Sequence, residues 1–412
     1  MRKTVTIERL GQQGDGVAGD MFVPLALPGE VVSGIPDGDQ LTEMRVETPS
    51  ADRVSAPCPH FRSCGGCQVQ HASDTCVAGW KRGIVETALT VQGVTATVRP
   101  TLTSPDRSRR RATFAARRTK KGAMAGFHAR KSDAIIPVPS CVLVTPTLAK
   151  SAPMAEALAV AGASRKGALS VSVTDSVDGL DVLVTGGKPL DGPLRITLAA
   201  LCEAHGLARL TWEDELIGMR MPPSHAMGAA RVVPPPGAFL QATEHGQATL
   251  TDLVRDIVGP AKSVLDLFAG CGTFALPLAK TAEVHAVEGD RAMLAALDGG
   301  WRQAQGLKRV TTETRDLFRR PLMPDELARF DAAVIDPPRA GAAAQIAELA
   351  QAKIETIAYV SCNPQTFARD AKTLCDAGYS LDWVQPVDQF RWSAHVELVA
   401  AFRLAHIRDQ RR

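Results

Sequence analysis

The sequence predicts a multi-domain α/β protein, and three observations carry that prediction. Its 412 residues exceed what a single hydrophobic core usually organises. The first half alternates apolar and polar residues with period two, the pattern of half-buried antiparallel strands. After a break at Pro234–Pro235–Pro236–Gly237, helical stretches alternate with short apolar runs, the order of a parallel α/β sheet. These boundaries give domains over 1–53, 54–236 and 237–412.

Residues 1–53 read as short strands with turns at Gly14–Asp15–Gly16 and Pro36–Asp37–Gly38. That spacing suggests a five-stranded barrel of the OB type. Residues 54–72 form a loop around three cysteines, and VAGWKRGIVETALT after it reads as a helix. Residues 108–145 and 167–185 alternate as strands of an antiparallel sheet, with SVSVTDSVDGLDVLVTG a hairpin turning near Asp178–Gly179. From Phe239 onward, SVLDLFAG, EVHAVEGD, DAAVIDPP and TIAYVSCNP supply the strands of the third domain.

Hydrophobic residues at 45% and charged ones at 22% are ordinary for a globular chain. No apolar run approaches the roughly 20 residues needed to span a bilayer. The N-terminus lacks the apolar core of a signal peptide, so a cytoplasmic location is the expectation. The net charge of +3 decides nothing, but its distribution is uneven: Arg107, Arg109, Arg110, Arg111, Arg117, Arg118, Lys120 and Lys121 form a block without one acid. Such a block suits phosphate contacts, although a solvated hairpin would look the same.

Five strand ends carry candidate ligand groups. AGCGTF turns the run Val264–Phe268 into a helix, and Gly270 and Gly272 let backbone approach a ligand closely. Glu288 follows about twenty residues later, where an acid can bond both ribose hydroxyls of an adenosine; a dinucleotide could use similar geometry. Asp316 and Asp336 follow the third and fourth strands, on the rim where α/β proteins bind ligands. Cys362 ends another strand and precedes Asn363–Pro364, the proline keeping the loop extended. A free cysteine is more often a buried structural residue, but a position on the rim of Asp336 favours a nucleophile. Glu397 interrupts the apolar run of AHVELVAAF and is a candidate base; alternation puts His395 on the same face, and spacing does not separate them.

Cys58, Cys64 and Cys67 have five and two residues between them around Gly65–Gly66. Three thiols this close point to a metal, and either zinc or an iron–sulfur cluster would take a fourth ligand. Cys76 and Cys141 are both candidates. Cys202 and Cys375 read as small buried residues in helices. Disulfides are not expected in this compartment.

In family order the chain carries CPHFRSCGGCQVQH, GFHARKSDAIIPVPSC, FLQAT, VLDLFAGCGTF, VEGD, DPPRAG, YVSCNP and HVEL. On these segments it resembles the RNA uracil-5 methyltransferases, the group of TrmA, RlmC and RlmD, over nearly its whole length, and is most similar to the RlmD branch. The resemblance implies an N-terminal OB-like (TRAM) β-barrel, a central mainly-β domain with an iron–sulfur loop, and a C-terminal class I (Rossmann-like) methyltransferase domain. It implies Cys362 as nucleophile and Glu397 as general base. It implies Gln241, Phe268, Thr273, Glu288, Asp316 and Asp336 around S-adenosylmethionine, and Phe239 against a flipped base. A [4Fe–4S] cluster on Cys58, Cys64, Cys67 and Cys141 and 23S rRNA as partner are implied likewise. AGCGT departs from the CGMGN or CGVGT of relatives, and Thr273 and Asp316 stand where RlmD-like proteins often have Asn; both can still hydrogen-bond.

The implied chemistry has a physical basis. Uracil C5 is a poor nucleophile, but a thiolate adding to C6 turns the ring into an enolate whose C5 can attack a methyl group. A stacked base must leave its stack for this. The barrel-like segment and the four cysteines favour rRNA over tRNA. An RNA cytosine-5 enzyme would place its cysteine directly after Asp-Pro-Pro, where Arg339 stands. A non-catalytic iron–sulfur RNA-binding protein leaves Cys362 and Glu397 unexplained, and a NAD-linked oxidoreductase leaves SCNP unexplained.

Overall fold

In the computed structural model, which describes residues 1–405, the N-terminal segment forms one six-stranded sheet. Its order is Lys3–Thr6, Val31–Asp37, Gln40–Thr48, Met21–Val23, Gly16–Ala18 and Arg9–Leu10. The two edge strands are neighbours in the chain, so the sheet must roll until its edges lie within the roughly 10 Å that three residue steps span. Ile7, Val23, Ala26, Val32 and Leu41 fill the interior. The expected five strands become six because the first run breaks at Ile7–Glu8. Ile7 donates its N–H to Glu30 O on one side, and Glu8 donates to Val17 O on the other. Buried Glu30 accepts Nε and Nη2 of Arg53 at 2.5 and 2.7 Å, tying this unit to the next segment.

The middle sheet runs Ile135–Ile136, Gly122–His128, Arg111–Thr119, Ala168–Ser176, Gly179–Thr185, Arg209–Trp212 and Glu215–Met219. The hairpin predicted near Asp178–Gly179 is present, with Ser176 opposite Gly179. Trp212 is fully buried, and its ring lies so close to Gly162 and Gly187 that a Cβ on either would overlap it.

The third sheet has nine strands. Val310–Thr314, Glu283–Glu288, Ser263–Leu267, Ala332–Ile335 and Thr356–Ser361 run parallel in that order. Glu397–Leu404 then enters antiparallel, followed by Tyr379–Asp388. The central strands are buried on both faces, which is why they read as unbroken apolar runs. Two segments that lie before the proline break belong here rather than to the middle sheet. The helix Asp74–Val91 sends Val85, Ala88 and Leu89 into one core face, and Val98 pairs with Val384. The hairpin of His225–Met227 and Ala230–Val232 buries Met227 and Val232 in the other face. Proline marks a break in the chain, but apolar contact decides which core a segment joins. Among the described residues, no helix is long and apolar enough to cross a membrane.

One loop, residues 388–396, is held from several sides. Lys81, fully buried on the helix Asp74–Val91, donates to Asp388 Oδ1 at 2.5 Å and to the carbonyls of Phe390 and His395 at 3.2 and 2.9 Å. The amides of Gln68 and Val69 both donate to Trp392 O, at 2.7 and 3.1 Å, so the cysteine loop grips it as well. Removing one partner of a fully buried pair leaves an uncompensated charge. Lys81→Met should therefore lower unfolding free energy by about 3–5 kcal/mol, and adding Asp388→Leu should recover most of the loss. Denaturant unfolding of the two variants checks this; a Lys81→Met protein as stable as its parent would show that the pair does not hold the loop.

Candidate active site and cysteine pocket

The parallel strands end in loops that bring the predicted groups to one rim. Phe268 leaves its strand with φ 62°, a strained value for a residue with a Cβ, and its ring tilts against Phe318 at 5.5 Å. Gly272, at φ 92°, could not carry a Cβ without meeting Leu276 and Leu297. Glu288 accepts the N–H of Gly270 at 3.0 Å and of Asp290 at 2.9 Å, fixing the glycine turn to the next strand. Asp316 accepts the N–H groups of Phe318 and Arg319. Phe268, Gly270, Glu288, Asp316 and Phe318 line a cavity of about 580 Å³, together with Thr273, Phe274, Asp336 and Pro338. Asp266, fully buried at the end of the strand that Phe268 leaves, is held well above the usual carboxylate range by burial and by Asp336 nearby, against the pull of the Ala275 amide.

Gln241 is the predicted cofactor residue that does not reach this wall. It is buried beneath, where its Oε1 accepts from Gln389 at 2.5 Å.

A second cavity, of about 620 Å³, lies on the other side of the rim. Gln13 of the N-terminal unit, Gly65, Gly66 and Gln68 of the cysteine loop, Arg109 and Thr113 of the middle sheet, and Phe390 and His395 all line it. The two cavities share four residues: Phe239, Arg339, Cys362 and Glu397. Arg111 lies over the Phe239 ring at 4.6 Å, and Arg109 over Phe390 at 5.5 Å. The basic block thus splits in two. Arg109, Arg110 and Arg111 turn inward, whereas Arg117, Arg118, Lys120 and Lys121 stay exposed on the hairpin.

Cys362 and Glu397 therefore meet at a doorway. Asn363 is extended, as Pro364 requires, and caps the helix Pro364–Asp376; its Nδ2 donates to Arg339 O at 2.8 Å and locks the two loops together. Burial, with the charges of Glu397 and Asp336, pushes the Cys362 thiol up to about 11, against the pull of Arg339. Burial, with Asp336, pushes Glu397 up to about 8, while Gln389 and Arg111 pull it down. Burial alone lifts Asp336 to about 7. Glu397 is 3% exposed beside Cys362, whereas His395 is exposed on the outer wall. Gln389 escaped the sequence reading: it is a polar residue in an aperiodic loop, and only the fold reveals its contact with Glu397 at 2.5 Å.

The four cysteines expected to act together are neighbours. Burial raises Cys64 and Cys67, the latter to about 12, and charge on Cys58 and Cys141 would raise both further. Cys64 also bridges to Ala129 of the middle domain. Cys76 faces elsewhere, lining a cavity with Gly11 and Trp80. Among the described residues, no three His, Cys, Asp or Glu side chains are drawn together at metal-ligand spacing. Cys202 is buried as expected, while Cys375 is only partly so.

Residues 303–402 match the family model described as tRNA (uracil-5-)-methyltransferase. An RNA methyltransferase of Rhizobium meliloti is 44% identical over 96% of this chain and 98% of its own. The 23S rRNA (uracil(1939)-C(5))-methyltransferase RlmD of Shewanella sp. is 31% identical over 98% of this chain and 96% of its own. Among solved structures, the Pyrococcus abyssi tRNA (uracil-54, C5)-methyltransferase in complex with S-adenosyl-L-homocysteine superposes with a TM-score of 0.75. It is 21% identical and covers 97% of this chain and 99% of that one, a likeness of fold.

The doorway charges predict how Cys362 reacts in the ligand-free protein. Glu397 raises the thiol only when ionised, above a pH of about 8. Glu397→Gln should thus speed alkylation of Cys362 by about 3- to 10-fold at pH 9 and leave it unchanged at pH 6. Mass spectrometry of the Cys362 peptide after iodoacetamide pulses reads this; equal rates at pH 9 would mean that the two groups are not coupled.

Proposed function

The chain belongs to the RNA uracil-5 methyltransferase family, and on that premise we propose that it methylates C5 of a uridine in 23S rRNA, with S-adenosylmethionine as donor. The observation that carries this reading is the doorway, where Cys362 and Glu397 face both cavities. One cavity suits the donor and the other an extrahelical nucleotide. The donor cavity fits a cation that carries an adenosine. Glu288, Asp316 and Asp336 make its wall acidic, and Phe268 and Phe318 give aromatic faces. Gln241, the remaining residue of the proposed set, would act from below through Gln389.

Bound there, S-adenosylmethionine supplies an electrophilic methyl group. Cys362 adds through Sγ to C6 of the uracil, making C5 nucleophilic. Phe239 and Arg339 would hold the ring at the doorway. After methylation Glu397 removes the C5 proton, the C5–C6 double bond re-forms, and Cys362 leaves as a thiolate.

The RNA reading draws on charge and on relatives. Arg117, Arg118, Lys120 and Lys121 have no acidic partner within salt-bridge distance among the described residues, and the turn carrying Arg165 and Lys166 lies beside them, next to the pairing of Ala168 with Arg117. Free cations on one edge suit a phosphate backbone. The rolled N-terminal sheet, taken as an OB-like (TRAM) module, places Gln13 on the nucleotide cavity. The rRNA target follows the RlmD relative; a tRNA target is the alternative. The decisive assay is transfer of labelled methyl groups to unmodified 23S rRNA and tRNA. Wild type should yield 5-methyluridine in rRNA, and Cys362→Ala none. Glu397→Gln should trap a methylated protein–RNA adduct that survives a denaturing gel. Label confined to tRNA would move the substrate, and adduct-free turnover by Glu397→Gln would remove it as the base.

Cys58, Cys64, Cys67 and Cys141 would hold a [4Fe–4S] cluster; their softness and number fit it. Such a cluster would staple the cysteine loop to the middle domain and shape the cavity that Gly65, Gly66 and Gln68 line. Protein purified without oxygen should contain about four iron and four sulfide per chain. Cys141→Ser should lose them and Cys76→Ser should keep them; the reverse would reassign the fourth ligand.

A further inference from the structure

We propose that Gln389 is a positioning residue for Glu397, holding one carboxylate oxygen so that the other faces the base at the doorway. The proposal rests on the reading of Glu397 as general base. Gln389 Nε2 donates to Glu397 Oε2 and to Gln241 Oε1, both at 2.5 Å. Its Oε1 accepts the N–H of Ala242 at 2.7 Å. A backbone N–H can only donate, so the amide cannot be flipped: oxygen must face Ala242, and nitrogen must face Glu397. Both of its N–H groups are then committed.

The side chain has little freedom to do otherwise. It is 1% exposed, and a Cβ on Gly246 would come within 2.8 Å of its Cβ and 2.9 Å of its Oε1. Its neighbour Asp388 is held by Lys81. Among the described residues, no hydrogen bond engages Glu397 Oε1, and the residue lines both cavities. Oε1 is thus the oxygen available to the C5 proton. As it takes that proton, the C–H electrons re-form the C5–C6 double bond and the C6–S electrons return to Cys362.

A donor on a carboxylate favours its charged form, the form a base needs. The other charged or titratable groups around Glu397 are Cys362, Asp336, Arg111, Arg339 and His395. Asp336 opposes ionisation and Arg111 favours it. Gln389 is the one that contacts the carboxylate directly and fixes which oxygen is free.

Gln389→Met keeps the length and volume and removes the donor. Single-turnover reactions on 23S rRNA should form the methylated adduct at a near-normal rate but release it about 10- to 100-fold more slowly, the size of one hydrogen bond to a charged group. Release should also need higher pH than in wild type, because Glu397 loses a partner that favours its charge. The fold should be retained, read by circular dichroism, while S-adenosylmethionine affinity falls because Gln241 Oε1 loses its donor as well. Wild-type release with an unshifted pH profile would overturn the proposal. So would loss of the folded state in both Gln389→Met and Gln389→Asn, which would assign Gln389 to folding. Normal release by Gln389→Met beside a trapped adduct in Glu397→Gln would remove only this proposal. Adduct-free turnover by Glu397→Gln would remove the base reading itself.

Discussion

A buried ammonium organises this molecule more than any other single group. Lys81 lies outside the C-terminal domain in sequence, yet all three of its hydrogen bonds end on residues 388–395. Burial lowers Lys81 and raises Asp388, each pulling the other back, and Asp388 Oδ2 has no partner, so the pair fixes the loop's position more than it adds net stability. That loop carries Gln389, leads into Glu397, and offers Trp392 O to the cysteine loop. Removing the clamp would free the doorway to drift relative to both cavities.

The doorway's electrostatics follow from crowding acids where little water reaches. Asp336 opposes the ionisation of Glu397, and both oppose that of Cys362. With Cys362 near 11 and Glu397 near 8, the ligand-free site holds both largely protonated at neutral pH. On the proposed reading this is a resting state. One positive charge a few ångströms away is worth about 4 kcal/mol at an effective dielectric near 20, or roughly three pK units. A cationic donor would therefore bring both groups into working range together. The thiol would then become reactive only when a methyl group was at hand.

Much of the fold was legible because its signals are local. Apolar runs ending in AGCGTF, VEGD, DPPRAG and SCNP identified the parallel strands and the rim, and alternation identified the hairpin at Asp178–Gly179. Cys362 and Glu397 were legible for the same reason: each interrupts or ends a strand. What local pattern does not encode is long-range partnership. The Asp74–Val91 helix joins the third domain because its apolar stripe matches that core, which nothing in its own sequence states. Cys141 neighbours Cys64 and Cys67, while Cys76, nearer in sequence, turns away, a choice made by the path of the intervening sheet. Gln241 sits in a recognisable motif, yet its place beneath the cavity wall, joined to Gln389, depends on a contact 148 residues away.

The same reasoning connects the cysteine loop to the chemistry. Gln68, directly after Cys67, lines the second cavity, and it and Val69 donate to Trp392 in the loop that precedes Glu397. Arg130 binds the Cys67 carbonyl and lies over Phe61 at 5.0 Å, fixing the loop from the middle domain. A change in how the four thiols are held would reach these amides directly, because Cys58, Phe61, Cys67 and Val69 pack with Trp392 in one small core. On the proposed reading, methyl transfer through a thiolate needs no electron, so the cysteine loop would matter to this site through position. On that reading, the carboxylate it helps to place would be the group whose geometry must be right last, when the methylated base is released.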